Sequence, residues 1–326
     1  MAAPVSAVKP TKLLPEGNLP KMGLRDAYGH ALIEIGKENK NVVVLDADLA
    51  LSTKTKRFGT VYPDRFFDVG IAELNLIGIA AGLAAAGKIP FASTFAAFAT
   101  GQPYNVIRQS VAYPALNVKI VATHAGLSVG GDGATHQMLE DISLMRGLPN
   151  MRVFVPADGP QMEQVIKAIT KIDGPCYVRC GREDSPILPN SPLPFEVGKM
   201  ITLRDGADVT LMACGTMVYE MLMAADQLVD QGIDPRVVVV HTIKPIDEET
   251  IVKAARETMG IVTAEEHNII GGLGSAVAEV VVEKHPCAMR RIGTRDVFGE
   301  SGEPKELFPK YGITAKDIVE LSLIHI

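Results

Sequence analysis

Two hydrophobic rhythms alternate along the chain: positions at helical spacing, and short unbroken apolar runs. Leu24, Ala27, Tyr28, Ala31, Leu32 and Ile35 predict an amphipathic helix over 22–37. The run 41–45 (NVVVL) reads as a buried strand with Asp46-Ala47-Asp48 at its carboxyl end. A strand over 66–69 leads into a second helix that starts near Glu73. Between Glu73 and Gly87 the only other polar side chain is Asn75. A helix apolar on nearly every face is buried, which places Glu73 at the edge of a core or a tight interface. The helix is too short and too glycine-rich to read as a membrane span. Strands follow over 89–94, 117–122, 152–155 and 176–180. A helix lies over about 102–112, and another runs from an Asp158 cap to about Thr170.

Strands that alternate with helices make a parallel sheet covered on both faces. Ligands bind such sheets beyond the carboxyl ends of the strands. Asp46, Asp48, Glu73, Phe95, His124 and Arg179 all fall at or just past a predicted strand end, so they converge on one edge. Prolines at 186, 189, 192 and 194 mark a linker over 187–197, which divides a domain at 21–186 from one at 198–321. The second unit predicts strands over 209–214, 236–240, 260–264 and 289–292, and helices over 216–231, 247–257 and 272–284. It shows few clustered polar groups. His267-Asn268 and Gly271-Gly272-Leu273-Gly274 stand out at a strand-to-helix turn, where the glycines can cradle an anion. The spacing is not a dinucleotide fingerprint, and close packing is the preferred reading.

Composition narrows the class. The 326 residues are 47% hydrophobic, enough for two cores, and carry a net charge of −6 without a basic run, which argues against nucleic acid. Neither a secretory signal nor a membrane segment is apparent, and a reducing cytoplasm suits the four cysteines. Cys176 and Cys180 lie in a predicted buried strand and read as core residues. Residues 1–20, with four prolines, read as a flexible or extended arm. No function is assigned to 321–326.

The chemistry concentrates in two places. Burial of Glu73 would raise its carboxyl pKa, so that it can give a proton to a ring nitrogen and take it back. The alternative is a helix-terminal charge that complements the dipole. The run 123–135 continues into His136-Gln137 and sets His124, Asp132 and His136 among four glycines. Glycine lets a backbone approach a ligand closely, and imidazoles move protons near neutral pH. These three residues do not have a recurrent metal-ligand spacing, so no metal is expected on this chain. Gly131-Asp132-Gly133 lacks the asparagine pair that a diphosphate-binding signature needs.

Glu73 in its helix, Thr94-Phe95 followed by Phe98, and the run from His124 to His136-Gln137 together resemble transketolase. The resemblance covers about 21–320. It implies a pyrimidine-binding domain of the thiamine-diphosphate type with a parallel sheet, followed by a smaller α/β transketolase C-terminal domain. It implies that thiamine diphosphate binds between this chain and a partner. That partner would be an N-terminal subunit carrying the diphosphate-binding domain and holding a magnesium or calcium ion. It also implies self-association across a two-fold, hence a heterotetramer, and ketol transfer between sugar phosphates of the pentose phosphate pathway. Glu73 matches the family glutamate that hydrogen-bonds the aminopyrimidine. Phe95 and Phe98 match rings that pack the pyrimidine. A third ring falls near Gly101 by simple count and is either absent or supplied by Tyr104. His124, Asp132 and His136 match sugar-binding residues, with both histidines near the chemistry. Arg25, Ser52 and Arg179 resemble residues that hold the sugar phosphate, and Asp48 an acidic residue near the thiazolium. Gly131 departs from the acidic residue common there.

Three other readings remain open. A deoxyxylulose-phosphate synthase-like chain shares much of the loop but is usually one long polypeptide. The β-subunit of a 2-oxoacid dehydrogenase has similar length but a different loop ending. A non-catalytic binding protein of the same fold would not require Glu73 and both histidines.

Overall fold

The architecture is that of a computed structural model, which describes residues 11–325. The strands are β1 (Lys21–Gly23), β2 (Val42–Asp46), β3 (Phe66–Asp68), β4 (Ile89–Phe95), β5 (Lys119–Thr123), β6 (Arg152–Phe154) and β7 (Cys176–Arg179). They continue with β8 (Asp184–Pro186), β9 (Ile201–Arg204), β10 (Val209–Ala213), β11 (Pro235–Val239), β12 (Thr242–Lys244), β13 (Gly260–Asn268) and β14 (Ala288–Thr294).

A seven-stranded sheet has the order β12-β6-β7-β5-β4-β2-β3, parallel except for β12. Its central strands are buried almost throughout because both faces are covered. The helices Leu24–Glu38 and Gly159–Thr170 cover one face, where Tyr28, Phe58, Phe91 and Met162 are packed. The helix Glu73–Ala85 covers the other, with Leu76, Ile77, Ala80 and Ala81 turned inward. Asp158 caps its helix as expected, accepting from Gln161 N; its other oxygen accepts from Leu188 N and Ser191 Oγ, which anchors the chain as it leaves the first unit. β1 pairs antiparallel with β8, so the start of the Leu24–Glu38 helix lies beside 182–186. That pairing places Arg25 at the carboxyl edge of the main sheet.

A five-stranded sheet, β14-β13-β10-β11-β9, forms the second unit, with β9 antiparallel to β11 and the remaining pairs parallel. The helices Met217–Asp230, Glu248–Glu257 and Leu273–Lys284 match expectation. β9, β12 and the helices Pro304–Lys310 and Ala315–Leu323 are additional to it. β12 leaves the second unit to pair with β6, so the two sheets are stitched together rather than joined by a linker alone.

Three expectations change. Residues 11–20 are not a loose arm, because Leu13 N and Leu14 N donate to the Asp226 carboxylate and Lys12 pairs with Asp230. Residues 1–10 lie outside the described residues. The glycine turn at 271–274 does cradle an anion, but a built-in one: Glu265 accepts from Leu273 N at 2.6 Å and Gly274 N at 2.8 Å. A Cβ on Gly272 would stand 1.9 Å from Glu265 Oε2, so close packing and anion cradling are the same feature. Third, the Glu73 helix is only half covered. Leu74, Asn75, Gly78 and Gly82 face outward, and Glu73 itself is half-exposed in the single chain. Among the described residues no helix is long and apolar enough to cross a membrane.

Candidate active site

The site is assembled from the carboxyl ends of β2, β4 and β5 and the loops after them. Asp46 ends β2 wholly buried, and burial pushes its carboxyl up to about 6. It accepts from Leu49 N at 2.7 Å, Thr53 Oγ1 at 2.6 Å and Thr55 Oγ1 at 2.7 Å. These bonds fix the turn that carries Asp48 and Ser52. Asp48 is exposed at φ 63°, and its N–H donates to Asp68 Oδ1 at 3.0 Å. Asp46 drew notice in the sequence only as a strand-end residue, yet it organises this turn.

β4 ends at Phe95, whose ring stacks on His124 at 3.7 Å between centroids and on Phe98 at 5.9 Å. His136 meets Phe98 edge-on at 5.3 Å and Phe95 at 6.4 Å. Four candidate rings from two separate stretches therefore form one cluster. Tyr104 does not join it. Its hydroxyl donates to the Leu144 carbonyl at 3.4 Å, and its ring packs against the core. Tyr104 thus lies outside the ring cluster, because its short helix turns it toward the 141–146 segment.

His124 occupies the left-handed region at φ 57°, an uncommon backbone for a non-glycine residue that recurs at functional sites. Its Nδ1 and Thr123 Oγ1 are 2.9 Å apart. Burial pushes its imidazole down to about 3, with Arg25, Arg182, His136 and Lys54 adding positive charge around it. His124 is therefore neutral at pH 7. The stability linked to it is fully present above about 6.5 and is lost as pH falls toward 3. Its ring resonances are expected to stay constant from pH 8 down to about 5 in a histidine NMR titration. A titration midpoint near 6.5 would mean that the ring is not buried in this way.

Arg25 and Arg182 are locked together, with Arg25 Nε donating to the Arg182 carbonyl at 3.0 Å and Arg25 Nη1 to the Ser52 carbonyl at 3.0 Å. Arg182 donates to Val129 O at 2.5 Å and lies 3.6 Å from the Asp132 carboxylate. Lys54, Arg25 and Arg182 together make a cationic rim around a neutral histidine, which suits an anionic ligand.

Arg179 is elsewhere. It is buried, with Nε paired to Asp141 Oδ2 at 2.9 Å and Nη2 donating to Met138 O at 3.2 Å and Glu266 O at 2.8 Å. The expectation that Arg179 sits on the anion rim changes: its Nε and Nη2 are engaged inside the protein, while Arg182, three residues on, reaches the rim. The second unit also holds a buried polar cluster, of which the sequence singled out His267 but not Glu265 or Glu266. Glu265, Glu266 and His267 end β13 beneath the glycine loop. Burial raises Glu265 to about 7 and lowers His267 to about 4. The EEH run was the available signal, but its partners lie far away in sequence.

The loop glycines meet protein rather than open space in most places. A Cβ on Gly126 would meet the Glu266 carboxylate at 2.4 Å, on Gly133 Ser301 Oγ at 2.6 Å, and on Gly130 the Gly302 carbonyl at 3.1 Å. Gly131 alone of these faces nothing within 4 Å. Two cavities of about 410 Å³ lie away from this cluster, one lined by Asn150, Arg152, Asp173 and Lys244 and the other along the Glu248–Glu257 helix. The ring cluster lines neither, as expected of a site open on one side.

Residues 20–186 match the family described as "Transketolase, pyrimidine binding domain", and residues 198–318 match "Transketolase, C-terminal domain". A solved structure described as a split gene transketolase, inactive beta4 tetramer, is 52% identical with a TM-score of 0.88, covering 93% of this chain and 98% of that one. The 6-deoxy-6-sulfo-D-fructose transketolase subunit SqwH of Clostridium sp. (strain MSTE9) is 45% identical, covering 93% of this chain and 94% of that protein. An apulose-4-phosphate transketolase subunit of Phocaeicola vulgatus is 36% identical, covering 92% of this chain and 96% of that protein.

Proposed function

Because the chain belongs to the transketolase family, we propose that it is the pyrimidine-side subunit of a two-polypeptide transketolase. It transfers a two-carbon ketol unit from a ketose phosphate to an aldose phosphate. The observation that carries this reading is the meeting of Phe95, Phe98, His124 and His136 under a rim of Arg25, Lys54 and Arg182. Stacked rings on the sheet edge from which the Glu73 helix also starts fit an aminopyrimidine, and the rim fits a substrate anion. Thiamine diphosphate, when bound, supplies a nucleophilic carbon and an electron sink. Its metal ion, magnesium or calcium, belongs to the partner subunit in this reading.

The roles of the chain's own residues follow from their geometry. Glu73 would hold a proton against a pyrimidine nitrogen. Phe95 and Phe98 would fix the plane of the ring. Neutral His124 accepts from or donates to a sugar hydroxyl without adding charge. His136 has Nδ1 engaged with Thr135 Oγ1 at 2.9 Å, so its other ring nitrogen is directed to substrate oxygen. Asp132 accepts from a hydroxyl, and Ser52 and Asp48 border the rim. The outward half of the Glu73 helix supports an assembly that covers it. Ile71 is 81% exposed and Leu74 53%, and Cβ atoms on Gly78 and Gly82 would meet nothing within 4 Å. Apolar surface of this kind marks an interface. A partner subunit and a second copy across a two-fold would cover it and desolvate Glu73.

The test is co-expression with a diphosphate-domain subunit, then turnover of xylulose 5-phosphate with ribose 5-phosphate in thiamine diphosphate and magnesium. Ketol transfer by the complex, and none by either chain alone, is the expected result. A complex that consumes pyruvate instead would move the chain to the synthase or dehydrogenase reading. Absence of any complex would favour the non-catalytic one.

A further inference from the structure

We infer that Glu266, in the second unit, is a positioning residue for the substrate-binding loop of the first, an inference that rests on the function proposed above. Glu266 is 3% exposed and lies two residues before the end of β13, yet its carboxylate reaches across the boundary between the two units. One oxygen accepts from the Ser128 backbone N–H, and the other accepts from Thr216 Oγ1 at 2.8 Å. Thr216 stands immediately before the helix Met217–Asp230, so the carboxylate ties that helix start to the loop. The approach requires Gly126 at φ 92°, where a side chain would strike Glu266.

A second tether closes the loop at its other end. Arg179 joins the Met138 carbonyl to the Glu266 carbonyl and is itself held by Asp141. A third spans the middle, where Gln137 Nε2 donates to Leu127 O at 3.2 Å, Gly130 O at 3.1 Å and Glu300 O at 2.8 Å. Asp132 and His136 lie between the first and second tethers, and His124 lies two residues before Gly126. Four glycines make this stretch conformationally permissive, so its ordering needs contacts from outside it. Part of that ordering comes from the second unit, where Glu266 is, among the described residues, the side chain whose carboxylate accepts from the loop backbone. That gives the C-terminal domain a part in substrate binding without touching substrate.

The experiment uses the full chain with Glu266→Ala and Glu266→Gln. Glutamine accepts from Ser128 N–H through its oxygen and donates to Thr216 Oγ1, so it preserves the clamp without the charge. Amide hydrogen exchange of the chain alone is expected to speed at least about tenfold across 126–133 in the alanine variant, while β4 and β10 keep wild-type rates. In the assembled enzyme KM for the ketose phosphate is expected to rise by about tenfold or more with the affinity for thiamine diphosphate unchanged, and glutamine is expected to restore both readouts. Wild-type exchange across 126–133 would overturn the inference, as would exchange that speeds evenly over both sheets. Should the alanine variant not fold, Thr216→Val removes one of the two bonds and is expected to loosen the same stretch; unchanged exchange there would overturn the inference equally. A wild-type complex without ketol transfer would remove the proposed reaction, while the exchange pattern would still decide whether the clamp exists.

Discussion

Glu73→Gln is expected to lower ketol transfer by the assembled enzyme by about 10²–10⁴-fold, the range for losing a proton-transferring group. Glutamine keeps the size and a hydrogen-bonding end but cannot exchange a proton. The fold gives little reason for a large structural effect. Glu73 is the first residue of its helix, half-exposed, and no side chain caps that end. Loss of a charge from that position costs the helix about 0.3–1 kcal/mol. Initial rates and thermal unfolding measured on the same preparation separate the two effects. A variant that keeps more than a third of the rate would reduce Glu73 to a dipole-complementing charge.

Two arginines three residues apart should respond in opposite ways. Arg179→Ala leaves Asp141 buried with its charge uncompensated, since Tyr177 Oη at 2.7 Å would be its remaining side-chain partner. Breaking a buried pair from one side costs about 3–5 kcal/mol, which lowers Tm on the order of 10 °C in a chain of this size. Arg182 is about one-third exposed, and its nearest carboxylate, that of Asp132, lies 3.6 Å away. Arg182→Ala is expected to move Tm by no more than about 2 °C and to raise KM for the phosphorylated sugar by about 10–100-fold. Scanning calorimetry and initial rates on both variants check this. A stable Arg179→Ala with a raised KM would return the phosphate role to Arg179.

Elements with a strong local pattern were legible in the sequence to within a residue or two. The helix Leu24–Glu38, the capped helix Gly159–Thr170 and most parallel strands belong to this group, whereas β13 runs four residues past its expected end. Short or proline-bearing elements were not. The helix Pro304–Lys310 contains Pro309, and the helix Asp141–Arg146 is only six residues long. Ala315–Leu323 had a readable start, Thr314 and Asp317 in a capping box, which marks a helix N-terminus. β12 has three residues, and its partner β6 lies nearly ninety residues earlier, so no local pattern announces it.

The sequence by itself determined that strands alternate with helices, and hence that Glu73, Phe95 and His124 share the carboxyl edge of one sheet. Strand direction and the period of two or 3.6 are local properties, set by residues next to one another. Only the tertiary structure decided what each side chain does at that edge. It turned Arg179 inward to Asp141 and Arg182 outward to Asp132. It sent Tyr104 away from the rings and brought Glu266 to Ser128 across 138 residues of chain. A buried charge must find its partner wherever the fold supplies one, and in this chain the partners come from other stretches, which no local pattern encodes.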